Sequence, residues 1–329
     1  MVRSELCCID RGKRNRQASR LLAKRGTVNQ DRNDPDTRTG SLLGHGVEDS
    51  GLRSVEAAGS GNRFDYITFL TDYGLEDEFV GVCRGVIYAI APHVRIIDIC
   101  HMVSPYAVRS AALMLVRAIQ YMPPAVHLAI VDPGVGTARR AIAVETADAV
   151  FVGPDNGILS PAAQMLGGAL RAVEIVSEQF RLPQRGGLTF AGRDVFAPAA
   201  AALARSASLD DLGPEVPLES LVPMVVPLPR IERDKIECEV LWVDRFGNCE
   251  VNVSPEELAS IGAELGKDVK IGVAGSEWIA VWAKAYGDVE AGSVAILEDH
   301  YGLLSIAVAE GNAAGKLGLE EGVAVTLRR

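Results

Sequence analysis

Ala129 to Arg140 reads Ala-Ile-Val-Asp-Pro-Gly-Val-Gly-Thr-Ala-Arg-Arg, and the rest of the chain falls into place around it. An apolar run, Val126 to Val131, stops at Asp132. Pro133 then removes a backbone donor, while Gly134 and Gly136 permit close approach or positive φ. That puts a carboxylate at the carboxyl end of a buried strand, where open α/β sheets place their ligand crevices. Arg139 lies one short turn further on, near enough to fold its guanidinium back onto Asp132. The same residues also read as a tight strand-to-strand turn tied down by an arginine, and both readings stand at this point.

Upstream, Tyr66 to Leu70 reads as a strand ending at Thr71-Asp72-Tyr73-Gly74. Glu78 to Ile90 has apolar residues at helical spacing and stops before Pro92. Val94 to Ile99 reads as a second strand, leading to His101, and Tyr106 to Met122 as a second helix closed by Pro123-Pro124. Downstream, Ala141 to Glu145 and Ala149 to Val152 are strand-like, the latter running into Pro154-Asp155-Asn156-Gly157. Asp194 to Ala207 is Ala-rich and helical, with Pro198 tolerated only near the first turn. Strands alternating with helices predict an α/β domain over 64–208 with a central, largely parallel sheet.

Pro214, Pro217, Pro223, Pro227 and Pro229 suit an extended linker over 209–232. Lys235 to Val243, Cys249 to Val253, Val269 to Val273, Trp278 to Trp282, Ser293 to Leu297 and Leu303 to Val308 are short and strand-like with Gly turns between them. They predict a small all-β domain over 233–329, barrel or sandwich. Residues 1–63 lack sustained periodicity and are rich in Arg, Asn, Asp, Gly and Ser, so they read as a disordered extension; its basic run, Arg11 to Arg16, reads as a solvated tail.

The totals narrow the function. With 329 residues, 48% of them hydrophobic, the chain can bury a large core, but it has no apolar run long enough for a membrane span. The N-terminus has charges where a signal peptide needs its apolar region, and six scattered cysteines suggest reduced thiols, so a cytoplasmic protein is expected. Residues 1–63 hold 12 Lys and Arg against 8 Asp and Glu, net +4, which leaves −10 − 4 = −14 on the body. An acidic body argues against a nucleic-acid surface and fits a small cationic substrate. The five histidines show no metal-ligand spacing, and His101 and His127 read as hydrogen-bonded strand-end or core residues. No dinucleotide fingerprint, P-loop or G-x-S-x-G elbow is present.

Asp72, Asp132, Asp155 and Asp244 each follow an apolar run beside glycines, where backbone can approach a ligand closely. Such a carboxylate can hold the two hydroxyls of a ribose, and each one can equally cap its own turn. Six motifs occur together and in order: Thr71-Asp72-Tyr73-Gly74; Asp98 to His101; Asp132 to Thr137 with Arg139-Arg140; Pro154-Asp-Asn-Gly157; Thr189-Phe190 with Gly192-Arg193-Asp194; and Phe246-Gly247-Asn248. The set resembles the S-adenosylmethionine (SAM) hydroxide adenosyltransferases, relatives of the SAM-dependent fluorinase and chlorinase, over about residues 66–325.

The resemblance implies a homotrimer whose sites lie between the α/β domain of one subunit and the β-barrel of the next, with SAM as substrate and no cofactor, metal, nucleic-acid or membrane partner. Water would displace methionine from C5′ of SAM. Asp132 and Arg139 would be catalytic. Asp72 would hold the ribose; Tyr106, Phe190, Phe246 and Tyr286 would wall the adenosine; Asn248 would bond the adenine; and Asp244 would meet the methionine ammonium. Gly192 would line the substrate site, and the loop Phe190-Ala191-Gly192 would offer a small anion a backbone N–H in the halogenase reading. A first departure is Ala191, which stands where the family has a histidine, and loss of one acid/base group slows a reaction by roughly 10²–10⁴-fold. Two rival readings remain, a non-catalytic SAM- or adenosine-binding trimer and a SAM-dependent halogenase. His300 and Tyr301 depart from the relatives' pattern near the methionine carboxylate.

Overall fold

A computed structural model describes residues 63–183 and 187–329. The reading of 1–63 as disordered, and with it Cys7, Cys8 and the basic run, therefore lies outside the described residues save Arg63. The first sheet contains β1 (Tyr66–Thr71), β2 (Arg95–Cys100), β3 (Val126–Ile130), β4 (Ala141–Glu145), β5 (Val150–Pro154) and β6 (Arg171–Glu174), ordered β2-β1-β3-β5-β4-β6. β1, β2, β3 and β5 run parallel, and β4 pairs antiparallel with β5 and β6. The sheet is thus largely parallel, as the alternation of elements predicts, with an antiparallel edge.

Helices α1 (Phe79–Ile90), α2 (Val108–Ile119), α3 (Ser160–Met165) and α4 (Ala197–Arg205) cover both faces. Ile67 and Phe69 of β1 and Val126, Leu128 and Ile130 of β3 meet α1 and α4 on one face. Leu70, Ala129 and Val131 meet α2 and α3 on the other. Burial on both faces is why these strands read as nearly continuous apolar runs rather than alternating ones, broken by Thr68 and His127, which bond each other.

Chain order sets the position of the crevice. From β1 the chain moves outward to β2, then crosses back over β1 to β3, so the winding reverses between β1 and β3. Ligands of open α/β sheets bind at such a reversal, beyond the carboxyl ends of the strands. Asp72 follows β1 and Asp132 lies just past β3, one on each side of that point.

The second sheet closes on itself. Its strands are β7 (Arg230–Ile231), β8 (Lys235–Val243), β9 (Cys249–Val251), β10 (Asp268–Val273), β11 (Ser276–Ala283), β12 (Val294–Glu298), β13 (Leu304–Val308) and β14 (Ala324–Arg328). The order β14-β10-β11-β12-β13-β9-β8, with β14 also paired to β8, makes a seven-strand barrel, and β7 adds to one edge of β8. The six predicted runs are all strands; β7 and β14 were not anticipated from sequence, and closure by β14 decides for the barrel over the sandwich. Only β11 and β12 run parallel, so residues 284–293 must return along the barrel rather than turn as a hairpin.

Within 209–232 the chain forms a helical turn at Leu209–Leu212 and is pinned to the α/β domain where Val222 N–H donates to Asp155. Helix α2 docks on the barrel through Arg109 to Glu239 at 2.6 Å and the buried pair Arg117–Glu250. Among the described residues no helix is long and apolar enough to cross a membrane.

Candidate active site

The turn after β3 folds as its glycines dictate. A Cβ at Gly134 would sit 3.0 Å from Arg139 Cγ, so the absent side chain is what lets the arginine stem lie across the turn. Gly136 takes φ +77°, a conformation that L side chains rarely adopt. Arg139 Nε then donates to both Asp132 oxygens, at 2.8 and 3.0 Å, and Nη2 adds a second prong. The guanidinium lies 4.9 Å from the Phe196 ring. Two parallel N–H donors fix a carboxylate in both position and plane.

Opposite stands the segment Thr189 to Phe196. Where the sequence predicts a regular helix from Asp194, the structure has a wide π turn over Gly192–Phe196 that feeds α4. Extra-residue turns of this kind re-aim a helix start and recur at functional sites. Gly192 has no alternative: a Cβ there would lie 2.1 Å from Tyr73 Oη.

These elements enclose a cleft of about 240 Å³ lined by Asp72, Tyr73, Tyr106, Asp132, Ala191 and Gly192, among others. Asp72 Oδ2 accepts the Tyr106 N–H at 2.9 Å. That bond holds Tyr106 at φ +67°, a strained backbone for an aromatic residue, with the ring largely exposed over the cleft. Behind Asp72, Thr71 Oγ1 accepts the Tyr73 N–H at 3.2 Å and bonds His101 Nδ1 at 2.9 Å. His101 Nε2 reaches Asp98 at 3.0 Å. His101 is thus the buried strand-end residue expected, and His127, bonded to Thr68 Oγ1 at 2.8 Å, the core one. Phe190 lines an adjoining cleft of about 630 Å³ that shares Tyr73, Phe79 and Thr189 with the first. Burial, then the Cys83 thiol and the Asp72 and Asp132 carboxylates, pushes the Tyr73 phenol well above its usual range, so it stays protonated.

The barrel loops build a larger cleft of about 900 Å³ that includes Asp244, Phe246, Asn248 and Tyr286. It has no residue in common with the Asp132 cleft. Asp244 organises its own hairpin: Oδ1 accepts the N–H groups of Phe246 and Asn248, and Oδ2 accepts from Asn248 Nδ2, all at 2.8 Å. With its amide nitrogen committed, Asn248 keeps its carbonyl oxygen for another partner. Tyr286 sits on the β11–β12 return, a connection the parallel pairing obliges to be long. At the cleft floor Glu250 pairs with Arg117, whose guanidinium lies 4.6 Å from the Trp242 ring and 5.0 Å from Tyr301.

A model of the SAM hydroxide adenosyltransferase N-terminal domain matches residues 67–213, and that of the C-terminal domain matches residues 238–326. The chain belongs to the SAM hydroxide adenosyltransferase family. A relative from Salinispora tropica named (R)-S-adenosyl-L-methionine hydrolase is 45% identical over 257 residues, 78% of this chain and 95% of the relative. A fluorinase from Nocardia brasiliensis is more distant, 26% identical over 235 residues, covering 64% of this chain and 78% of its own. The crystal structure of an uncharacterized conserved protein from Thermotoga maritima superposes with a TM-score of 0.73 at 38% identity, over 80% of this chain and all of that one.

In this hydroxide adenosyltransferase the residues singled out from sequence fall into two sets, with Phe190 in the cleft adjoining the first. Asp72, Tyr106, Asp132, Ala191 and Gly192 share one cleft with Arg139 behind it; Asp244, Phe246, Asn248 and Tyr286 share the other. Asp155, one of the four strand-end carboxylates, points elsewhere: Arg140 Nε donates to it at 2.8 Å, and it tethers Val222. Sequence reasoning passed over Tyr73, Arg117 and Glu250. A Glu inside the buried strand β9 and an Arg inside the apolar run of α2 were the available signals for the buried pair.

Proposed function

We infer that this chain hydrolyses SAM to adenosine and methionine by attack of water at C5′. The observation that carries the reading is Asp132, clamped by Arg139 at the sheet's winding reversal and opening on the same cleft as Asp72. Relatives named (R)-S-adenosyl-L-methionine hydrolase at 45% and 40% identity support it. In this reading Asp132 orients the water and takes its proton as the C5′–O bond forms. The C5′–S bond breaks with its electron pair left on sulfur, and a sulfonium departs as a neutral thioether without needing a proton. No metal or cofactor is called for by that chemistry.

Asp72 holds the ribose hydroxyls, and Tyr106, Phe190, Phe246 and Tyr286 wall the adenosine. Gly192 offers its backbone N–H, Asn248 accepts from the adenine amine through its free carbonyl, and Asp244 meets the methionine ammonium. Aromatic faces and carboxylates both favour a substrate that carries a sulfonium and an ammonium. Since the two sets of residues line separate clefts, we take the working enzyme to be a homotrimer that joins one subunit's sheet cleft to the next subunit's barrel cleft, in the cytoplasm. A carboxylate at position 132 disfavours halide as nucleophile, because like charges repel at short range.

Ala191 favours one second reading, a trimer that binds SAM without cleaving it. The two separate cleanly: purified protein is incubated with SAM and adenosine is followed by chromatography. Adenosine above the spontaneous rate, lost by roughly 10²–10⁴-fold in Asp132→Asn, supports hydrolysis. Binding by calorimetry without adenosine release supports the binding module instead.

A further inference from the structure

One polar group in the Asp132 cleft has no part in the scheme above. Tyr73 lines the cleft between Asp72 and Ala191, and its oxygen stands where a side chain on Gly192 would have to go. Its ring is held at three points. Phe79 and Phe190 lie with centroids 5.8 Å away on either contact, and the backbone N–H is anchored on Thr71 Oγ1 at 3.2 Å. The oxygen therefore has a fixed address, against the Gly192 backbone in the cleft that Asp72 and Asp132 also line.

A water molecule attacking carbon needs a lone pair free along the line of attack, so its two hydrogens must both be held elsewhere. Asp132 can take one. Arg139 supplies only donors and cannot take the other. Ala191 has no acceptor on its side chain either. Among the other side chains lining this cleft, Asp72 is given to the ribose in that reading and its Oδ2 already takes the Tyr106 N–H, which leaves the phenolic oxygens of Tyr73 and Tyr106 and Thr189 Oγ1 as neutral acceptors. Of these, the Tyr106 ring is largely exposed, and Tyr73 Oη is the one that the π turn's own glycine is shaped around.

We propose that Tyr73 is a further catalytic residue, its phenolic oxygen accepting one hydrogen of the attacking water while Asp132 accepts the other. The proposal rests on the hydrolase reading. Atoms balance without Tyr73 changing charge: the C5′–O bond forms, the C5′–S bond breaks, the proton passes from water to Asp132, and the phenol keeps its own proton as a donor. A phenol that stays protonated suits that passive role.

The test is Tyr73→Phe, which keeps the ring between Phe79 and Phe190 and removes only the oxygen. We expect kcat for adenosine release to fall about 10-fold or more, the lower end of what a positioned polar group contributes, with KM for SAM and the melting temperature little changed. Ala191→His is expected to speed the parent as well, so the discriminating readout is the fold loss on Tyr73→Phe in each background: it shrinks with histidine at 191 if both groups hold the same water, whereas a merely structural phenol gives the same loss in both. A Tyr73→Phe enzyme within twofold of the parent in kcat overturns the proposal, as does a loss confined to KM. Failure of the parent itself to release adenosine removes the hydrolase reading and the proposal together, so the two failures are told apart.

Discussion

Gly192 is where a single methyl group has most to disturb. A Cβ would lie 2.1 Å from Tyr73 Oη and 3.0 and 3.2 Å from ring carbons, and the ring cannot retreat without displacing Phe79 and Phe190. Overpacking of this kind costs about 1–3 kcal/mol, so Gly192→Ala is expected to lower stability by that amount in chemical denaturation. Combined with Tyr73→Phe, which removes the nearest atom, the penalty should shrink. Tyr106 offers the opposite case. Its φ of +67° is strain that a glycine would relieve, so Tyr106→Gly is expected to leave stability unchanged or raised while weakening SAM binding in calorimetry. Glycine keeps the N–H that bonds Asp72, so loss of stability in that variant would mean that the Tyr106 side chain stabilises more than its backbone strain costs.

At the scale of elements, α2 and β9 are joined by the buried pair Arg117–Glu250, with Arg117 Nη1 and Glu250 Oε2 left without partners among the described residues. Removing Glu250 strands the buried Arg117 guanidinium, and Glu250→Leu alone is expected to cost about 3–5 kcal/mol. The double variant Arg117→Met with Glu250→Leu should recover most of it, because an apolar pair of similar volume is often no worse than a buried ion pair. Equal losses in the single and double variants, read from denaturation midpoints, would sink that account. The same elements show what a sequence can reveal. The parallel strands were legible because burial on both faces leaves a continuous apolar run, and the Asp132–Arg139 clamp because its glycines and spacing are local. β14 was missed: it has only two buried apolar residues, Val325 and Leu327, alternating with polar ones, and its identity as a strand depends on pairing with β8 and β10 far back in the chain. Tyr73 looked like one member of a turn motif. Its place in the cleft depends on a glycine more than a hundred residues away, a relation that no local pattern encodes.

For the whole molecule, two buried groups make stability depend on pH in opposite senses. Burial, then the Asp299 side chain beside it, pushes Glu250 from 4.5 up to about 8 against the pull of Arg117. The folded chain keeps a proton there that the unfolded chain has lost, so this contribution is present below about 4.5 and disappears as pH rises through 8. Burial lowers His127 from 6.5 to about 3, and its contribution is present above 6.5 and disappears as pH falls. The two slopes oppose each other between 4.5 and 6.5, and Glu250 acts alone above that. The melting temperature of the parent minus that of Glu250→Gln should therefore shrink between pH 6.5 and 8.5; a constant difference would refute it. Assembly makes its own prediction. Asp132→Asn and Asn248→Ala chains, each inactive, should regain roughly a quarter of the parent activity when co-expressed, since a site drawn from two subunits can pair one intact half with the other. No regain would put the site within a single chain. The parallel step from β11 to β12 carries a last implication. Hairpins fix their register by their length, but residues 284–293 only have to span the barrel, so insertions there leave every strand in place. Evolution can rewrite the wall of the barrel cleft around Tyr286 without putting the architecture at risk.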